Sequence, residues 1–194
     1  MPLQMDAYQS FFIVFRRDLL PFYPEGENCP EPEDVAGVTT PWKVRFDTTF
    51  RGPAYTVLFP QLTDWSLNAN DSIRNYSGSA VYTNTFRLPK DAPGGRLYLD
   101  LGMVRDMAKV RVNGIYVGGV WTAPYRVDIT SALKPGENHV EITVVNTWVN
   151  RLIGDSRLPA AERKTWLNAN PYQPNSPYEP AGLLGPVRVV ALPY

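Results

Sequence analysis

Residues 108–119 read AKVRVNGIYVGG, and the reading of this stretch decides the fold. Ala108, Val110 and Val112 alternate with Lys109 and Arg111, the period of two expected when one face of a strand meets a core and the other meets water. Asn113-Gly114 follows, a dipeptide suited to a type I′ hairpin because both central positions require positive φ. Apolar residues resume at Ile115, so the stretch predicts two antiparallel strands joined by a tight turn.

Outward from this hairpin the same pattern recurs at short spacing. RLYLDLG (96–102) places Leu97, Leu99 and Leu101 inward, and AVYTNTFRLP (80–89) places Tyr82, Phe86 and Leu88 on one face, where Asn84 must find a partner. WKVRFDTTF begins with Trp42, Val44 and Phe46 on one side and Lys43, Arg45 and Asp47 on the other. YRVDIT (125–130) and HVEITVVN (139–146) are joined through the turn-forming KPGEN, and PVRVVAL (186–192) is the last strand. SFFIVFRR (10–17) has the composition of a buried strand. Residues 21–41, with five prolines between 21 and 41, read as a linker or long loop. No long helix is expected. Many short antiparallel strands with Gly and Pro turns imply an all-β fold, a β-sandwich or jelly roll over 42–194.

Composition narrows the function classes. Acidic and basic residues balance at 19 each, so no broad positive field gathers phosphates and nucleic acid is excluded as an expected partner. The longest apolar run, near Phe11 to Phe15, is too short to insert across a membrane. The start of the chain lacks the pattern of a secretory signal, and the single cysteine, Cys29, has no internal disulfide partner. The single histidine, His139, falls on the face opposite Val140, Ile142 and Val144, which removes Ser-His-Asp and Cys-His nucleophilic schemes. Zinc would need carboxylates for most of its ligands. No cofactor is indicated. A structural calcium is compatible with a sandwich of this size, but without a dense Asp/Asn loop its ligands would come from distant residues.

Asp100, Asp106, Asp128, Asp155 and Glu179 are the acids available for paired-carboxylate chemistry. Each sits at a turn or strand end, where an acid commonly accepts from backbone N–H groups instead. Trp121 and Tyr125, and Trp166 and Tyr172, lie in or beside loops. They serve either as packing anchors or as faces on which sugar rings stack. TWVNRLIGD (147–155) packs Trp148, Asn150, Arg151 and Asp155 into one short span.

The order of these motifs resembles a known module. FRGPAYTVLFPQLTDWSLNANDSIRNYSGSAVYTNTF, LDLGMVRDMAKVRVNGIYVGGVWTAPYRVDIT, KPGENHVEITVVNTWVNRLIGD and PAGLLGPVRVV together resemble the galactose-binding-like β-sandwich of large glycoside hydrolases. The likeness is greatest to the C-terminal region of family 106 α-L-rhamnosidase-like enzymes and extends to the family 2 sugar-binding domain. The resemblance implies that residues 1–20 are a closing strand of a preceding domain or an added strand. It implies a non-catalytic accessory domain, whose partner is a separate (β/α)₈ barrel of about 250 residues. It also implies a periplasmic or extracellular setting and a plant-type oligosaccharide or polysaccharide as ligand. In TWVNRLIGD it implies a turn leaving a core strand, with Trp148 packed, Leu152 and Ile153 anchoring, and Arg151 paired with Asp155 or with backbone carbonyls. Trp121, Tyr125, Trp148, Asn150, Arg151, Asp155, Trp166 and Tyr172 are therefore the candidate contacts to carbohydrate or to a neighbouring domain. Two alternatives remain: an autonomous carbohydrate-binding module with a rim-loop site, and a small hydrolase using Asp155 and Glu179.

Overall fold

A computed structural model of the chain describes residues 5, 7–15, 31–39 and 41–192. Along them run β1 (Glu33–Gly37), β2 (Trp42–Phe46), β3 (Val57–Phe59), helix α1 (Asp71–Arg74), β4 (Ser79–Leu88), β5 (Leu97–Asp100) and β6 (Met103–Arg105). There follow β7 (Met107–Val112), β8 (Ile115–Val120), β9 (Arg126–Asp128), β10 (Gly136–Val145), helix α2 (Val149–Ser156), β11 (Gly182–Gly185) and β12 (Arg188–Ala191).

The predicted hairpin is β7–β8, with Asn113 and Gly114 at φ 52° and 83°. Asn113 is also tied sideways: its Nδ2 donates to Asn138 Oδ1 (2.8 Å) and to the Ala132 carbonyl (2.8 Å), and its Oδ1 accepts from the His139 N–H. The strands form a six-stranded antiparallel sheet, β3-β2-β4-β10-β7-β8, facing a four-stranded one, β1-β12-β5-β9, with β6 and β11 as a small separate pair. Alternation sets the core between the two layers: Trp42, Val44, Phe46, Tyr82, Val110, Val112, Val140, Ile142 and Val144 from one sheet meet Leu97, Leu99, Val127 and Val189 from the other. The β-sandwich is the expected fold, and His139 is exposed on the outer face as expected. Asn84 finds its partner in the Thr39 carbonyl, to which Nδ2 donates at 2.6 Å.

One end of the core is aromatic. The indole N–H of Trp65 donates to the Tyr82 hydroxyl at 2.6 Å, the Leu183 N–H donates to the same oxygen at 3.2 Å, and the Trp65 and Tyr82 rings stack nearly parallel. Phe46 and Tyr76 close the group edge-on. The Tyr76 hydroxyl donates to the Ser79 carbonyl and accepts from the Asp47 N–H, and burial pushes its pKa up to about 12. Burial raises Tyr82 as well. An unfolded tyrosine ionises near pH 10 while these stay protonated, so the unfolded chain binds fewer protons and stability falls as pH rises from about 10 to 12. Chemical denaturation across that range should show the decline, shallower in Tyr76→Phe.

The four-stranded layer is tied by charge. Asp100 is buried, accepts from Arg126 Nε at 3.0 Å and from the Gly102 N–H at 2.8 Å, and lies 3.5 Å from Arg188 Nη2. Arg188 in turn reaches Asp34 of β1 at 2.9 Å.

Three expectations are corrected. Residues 21–41 were read as a linker, yet β1 pairs with β12 from Glu33↔Ala191 to Gly37↔Arg188; its acidic, weakly alternating sequence carries no strand signal, and its place comes from the neighbour it joins. The stretch 10–15 is not a strand, and Phe12 is 98% exposed: an apolar segment without a sheet edge beside it has no hydrogen-bond partners for its backbone. Arg16 and Arg17, like Cys29, lie outside the described residues. TWVNRLIGD, expected as a turn, instead runs into helix α2 from Val149 onward.

Candidate functional site

Strand register places two candidate aromatics at one rim. Ala108 pairs with Val120 and Met107 with Val145, so Trp121 and Trp148 emerge just past the ends of β8 and β10, with β7 between them. The Asp106 carboxylate accepts from the Thr147 N–H at 3.0 Å and fixes the exit of β10. Asn146 holds it from the other side, its Nδ2 donating to the Tyr76 carbonyl and its Oδ1 accepting from the Gly78 N–H. Both tryptophans are exposed, Trp148 by 55%. The expectation that Trp148 packs is thereby corrected: it stands at the amino end of α2, where the helix turns its Ile153 side to the core and leaves residue 148 outward.

The helix explains the rest of TWVNRLIGD. Ile153 is fully buried, and Gly154 lies against Asn75, where a Cβ would come within 2.6 Å of Oδ1. Asn150 is buried and clamps Glu179, its Nδ2 donating to that carbonyl at 2.7 Å and its Oδ1 accepting from that N–H at 2.8 Å. Asp155, 1% exposed, accepts through Oδ2 from the N–H groups of Lys164 (2.9 Å) and Thr165 (2.7 Å) and from the Thr165 hydroxyl (2.6 Å). The expected Arg151–Asp155 ion pair does not form: Oδ2 of Asp155 is engaged by residues 164–165, and its Oδ1 is buried without a hydrogen-bond partner. Asn150 and Asp155 thus face inward and hold the following loop.

That loop carries the other two aromatics. Trp166 follows the pinned Thr165 and is 85% exposed. Tyr172 donates its N–H to Asn170 Oδ1, while Asn170 Nδ2 donates to the Leu152 carbonyl, so this part of the loop rests on α2. Tyr125 is half-buried against the core and its carbonyl accepts from the Leu101 N–H. The structure therefore gathers Trp121 and Trp148 at a rim, and groups Arg151, Trp166 and Tyr172 around the helix that leaves it.

Four of the five acids weighed for catalysis hold backbone. Asp128 accepts from the Thr130 hydroxyl (2.6 Å) and N–H (3.0 Å), and the hydroxyl bond keeps its carboxyl below the usual carboxylate range. Asp100, Asp106 and Asp155 are engaged as described, and Glu179 meets Asn150 only through its backbone. Among the described residues, no three His, Cys, Asp or Glu side chains come together as a metal site.

Sequence reasoning missed two residues. Asn138 is fully buried, its Oδ1 accepting from Asn113 and the Lys134 N–H and its Nδ2 donating to the Lys134 and Gly136 carbonyls. Asp64 joins distant segments by accepting from the N–H groups of Ser66 and Ala181. An Asn or Asp at an inward position beside a turn was the available signal.

Residues 40–175 match the family described as glycosyl hydrolase 2 galactose-binding domain-like. A Formosa agariphila protein named "Putative beta-glucuronidase" is 37% identical over 191 residues, covering 86% of this chain and 16% of its own length. A β-glucuronidase of Paenibacillus borealis is 28% identical over 74% of the chain and 25% of its own length. Among solved structures, a rhamnosidase from Novosphingobium sp. PP1Y shares 40% identity and a TM-score of 0.73, over 90% of this chain and 16% of that one. A Ruminococcus gnavus β-glucuronidase in complex with D-glucuronic acid, at 24% identity and a TM-score of 0.56, covers 89% of this chain and 31% of its own and shares the fold. The chain thus spans a quarter or less of these two curated relatives, and the part it matches is an accessory β-sandwich. By the extent of that match, it belongs to the galactose-binding domain-like family of glycosyl hydrolase 2.

Proposed function

We propose that the chain is the accessory sandwich of an α-L-rhamnosidase-like glycoside hydrolase, flanking and stabilising a catalytic barrel and lending its Trp121–Trp148 rim to the wall of a substrate cleft. The observation that carries this reading is the likeness to a rhamnosidase at 40% identity over 90% of the chain. The geometry agrees with it: four of the five acids serve the backbone, while two indoles stay exposed at one rim. The parent enzyme then acts on plant-type oligosaccharide in the periplasm or outside the cell.

Purified chain should release no nitrophenol from nitrophenyl α-L-rhamnoside, and the enzyme that contains it should. In that enzyme Trp148→Ala should raise KM for an oligosaccharide by about tenfold, the loss of one ring-stacking contact of roughly 1–1.5 kcal/mol, with kcat changed less. Turnover by the chain alone, abolished in Asp155→Asn, would sink the reading. A β-glucuronidase-type parent is the second reading, favoured by the name of the Formosa agariphila relative; activity on a nitrophenyl β-glucuronide, and none on the rhamnoside, decides for it.

A further inference from the structure

The outer face of the six-stranded sheet carries an unbalanced set of charges. Alternation turns Lys43 and Arg45 of β2, and Lys109 and Arg111 of β7, away from the core, and all four are exposed. Arg87 of β4 is the remaining cation of these six strands, and Glu137 and Glu141 of β10 are their acids. The chain as a whole is neutral, with 19 residues of each sign. A merely solvated face of such a protein mixes its signs; here the positive ones are gathered.

Register orders them into rows. Arg45 lies opposite Val81, Val81 opposite Thr143 and Thr143 opposite Lys109. Two residues along, Lys43 lies opposite Thr83, Thr83 opposite Glu141 and Glu141 opposite Arg111. Beyond them Arg87 faces Glu137, a neutral pairing. Each of the first two rows thus has a cation at both ends, about 14 Å apart across three strand spacings, with about 7 Å between the rows. In the second row Glu141 lies 3.9 Å from Arg111 and partly answers it. The first row holds no acid. Among the described residues Lys43, Arg45 and Lys109 join no ion pair.

What lies between the cations narrows the ligand. Val81, Thr83 and Thr143 are half-buried, and no aromatic ring stands among them in either row. Protein interfaces are built on aromatic anchors and are poor in Lys, and a single nucleic acid strand is held by rings that stack its bases. Neither partner fits this face. Threonine hydroxyls between paired cations suit a polymer bearing hydroxyls and carboxylates together, since the hydroxyls exchange hydrogen bonds with the first and Lys and Arg bind the second.

We propose that this face, centred on Arg45, Thr143 and Lys109, binds an acidic polysaccharide, a chain of uronate sugars, in addition to whatever the Trp121–Trp148 rim contacts. The choice of a saccharide rests on the reading of the chain as a domain that works at polysaccharide; the choice of an acidic one rests on the rows of charge.

The test is affinity electrophoresis of the 194-residue chain through gels holding polygalacturonate, its fully methyl-esterified form or double-stranded DNA. Polygalacturonate should retard the chain, the neutral ester and the DNA should each bind about tenfold more weakly, and roughly 0.5 M salt should remove the retardation. Arg45→Gln combined with Lys109→Gln should weaken binding about tenfold, two exposed charge contacts of about threefold each. Both side chains project into water, so this variant keeps the fold. Glu141→Gln should tighten binding about threefold, because it removes the acid from the second row; damaged packing would act in the opposite direction. No retardation by polygalacturonate, equal retardation by the ester or the DNA, binding unchanged in the double variant, or no gain in Glu141→Gln overturns the proposal. The rhamnoside assay of the parent enzyme does not read this face, so failure here leaves the accessory-domain reading standing, and failure there with polygalacturonate still bound leaves the charged face standing.

Discussion

Asp155→Ala should lower the unfolding free energy by about 3–5 kcal/mol, the range for removing one member of a buried, charge-assisted arrangement. Oδ2 is the acceptor for two backbone N–H groups and one hydroxyl, all from Lys164 and Thr165. With the carboxylate gone these donors lose their partner inside the protein, and the loop that carries Trp166 and Tyr172 is released from α2. Urea denaturation monitored by tryptophan fluorescence reads the stability. Hydrogen exchange at Lys164 and Thr165 reads the loop. Asp155→Asn keeps an acceptor oxygen and removes only the charge, so it should retain part of the loss. A change below about 1 kcal/mol in Asp155→Ala, within the ordinary range of a neutral hydrogen bond, would mean the loop is held by something else.

Gly182→Ala is expected to be comparably severe, about 3–5 kcal/mol from strained backbone and overpacking together. Gly182 has φ +98°, and an added Cβ would lie 2.5 Å from Trp65 Nε1 and 2.6 Å from Cε2. The indole cannot swing aside, because it is fully buried and its N–H is bound to Tyr82. Gly114→Ala separates the two contributions: it shares a positive φ but has nothing within 4 Å of the added carbon. Strain alone should cost it about 1–2 kcal/mol. Equal losses in both variants, from parallel denaturant titrations, would show that the contact with Trp65 costs nothing.

What could be read from the sequence follows from how each element is held. β2, β4, β5, β7, β8, β10 and β12 were legible because most have one face in the core, and a core imposes alternation. β1 was hidden by acidic and proline-rich sequence, since it is an edge strand with a single neighbour. β3 and β6, at three residues each, are too short to show a period, and β11, Gly-Leu-Leu-Gly, has none. The helix α2 was obscured by Gly154, which in a sequence signals a turn but here lets the helix approach Asn75. At the site, the structural use of Asp100, Asp106 and Asp128 was legible from turn chemistry. The inward direction of Asn150 and Asp155, and the outward one of Trp148, were not, because they depend on the phase of a helix that the sequence did not announce.

The pairing of β1 with β12 brings together segments far apart in sequence, with Asp34 and Arg188 separated by 154 positions. β5, β9 and the Asp34–Arg188–Asp100 charges therefore wait on β12, which is synthesised after them, however early their own sequences emerge. Such high contact order predicts slow folding. A nascent chain halted before Arg188 exposes the four-stranded layer's apolar face, the kind of surface that chaperones shield.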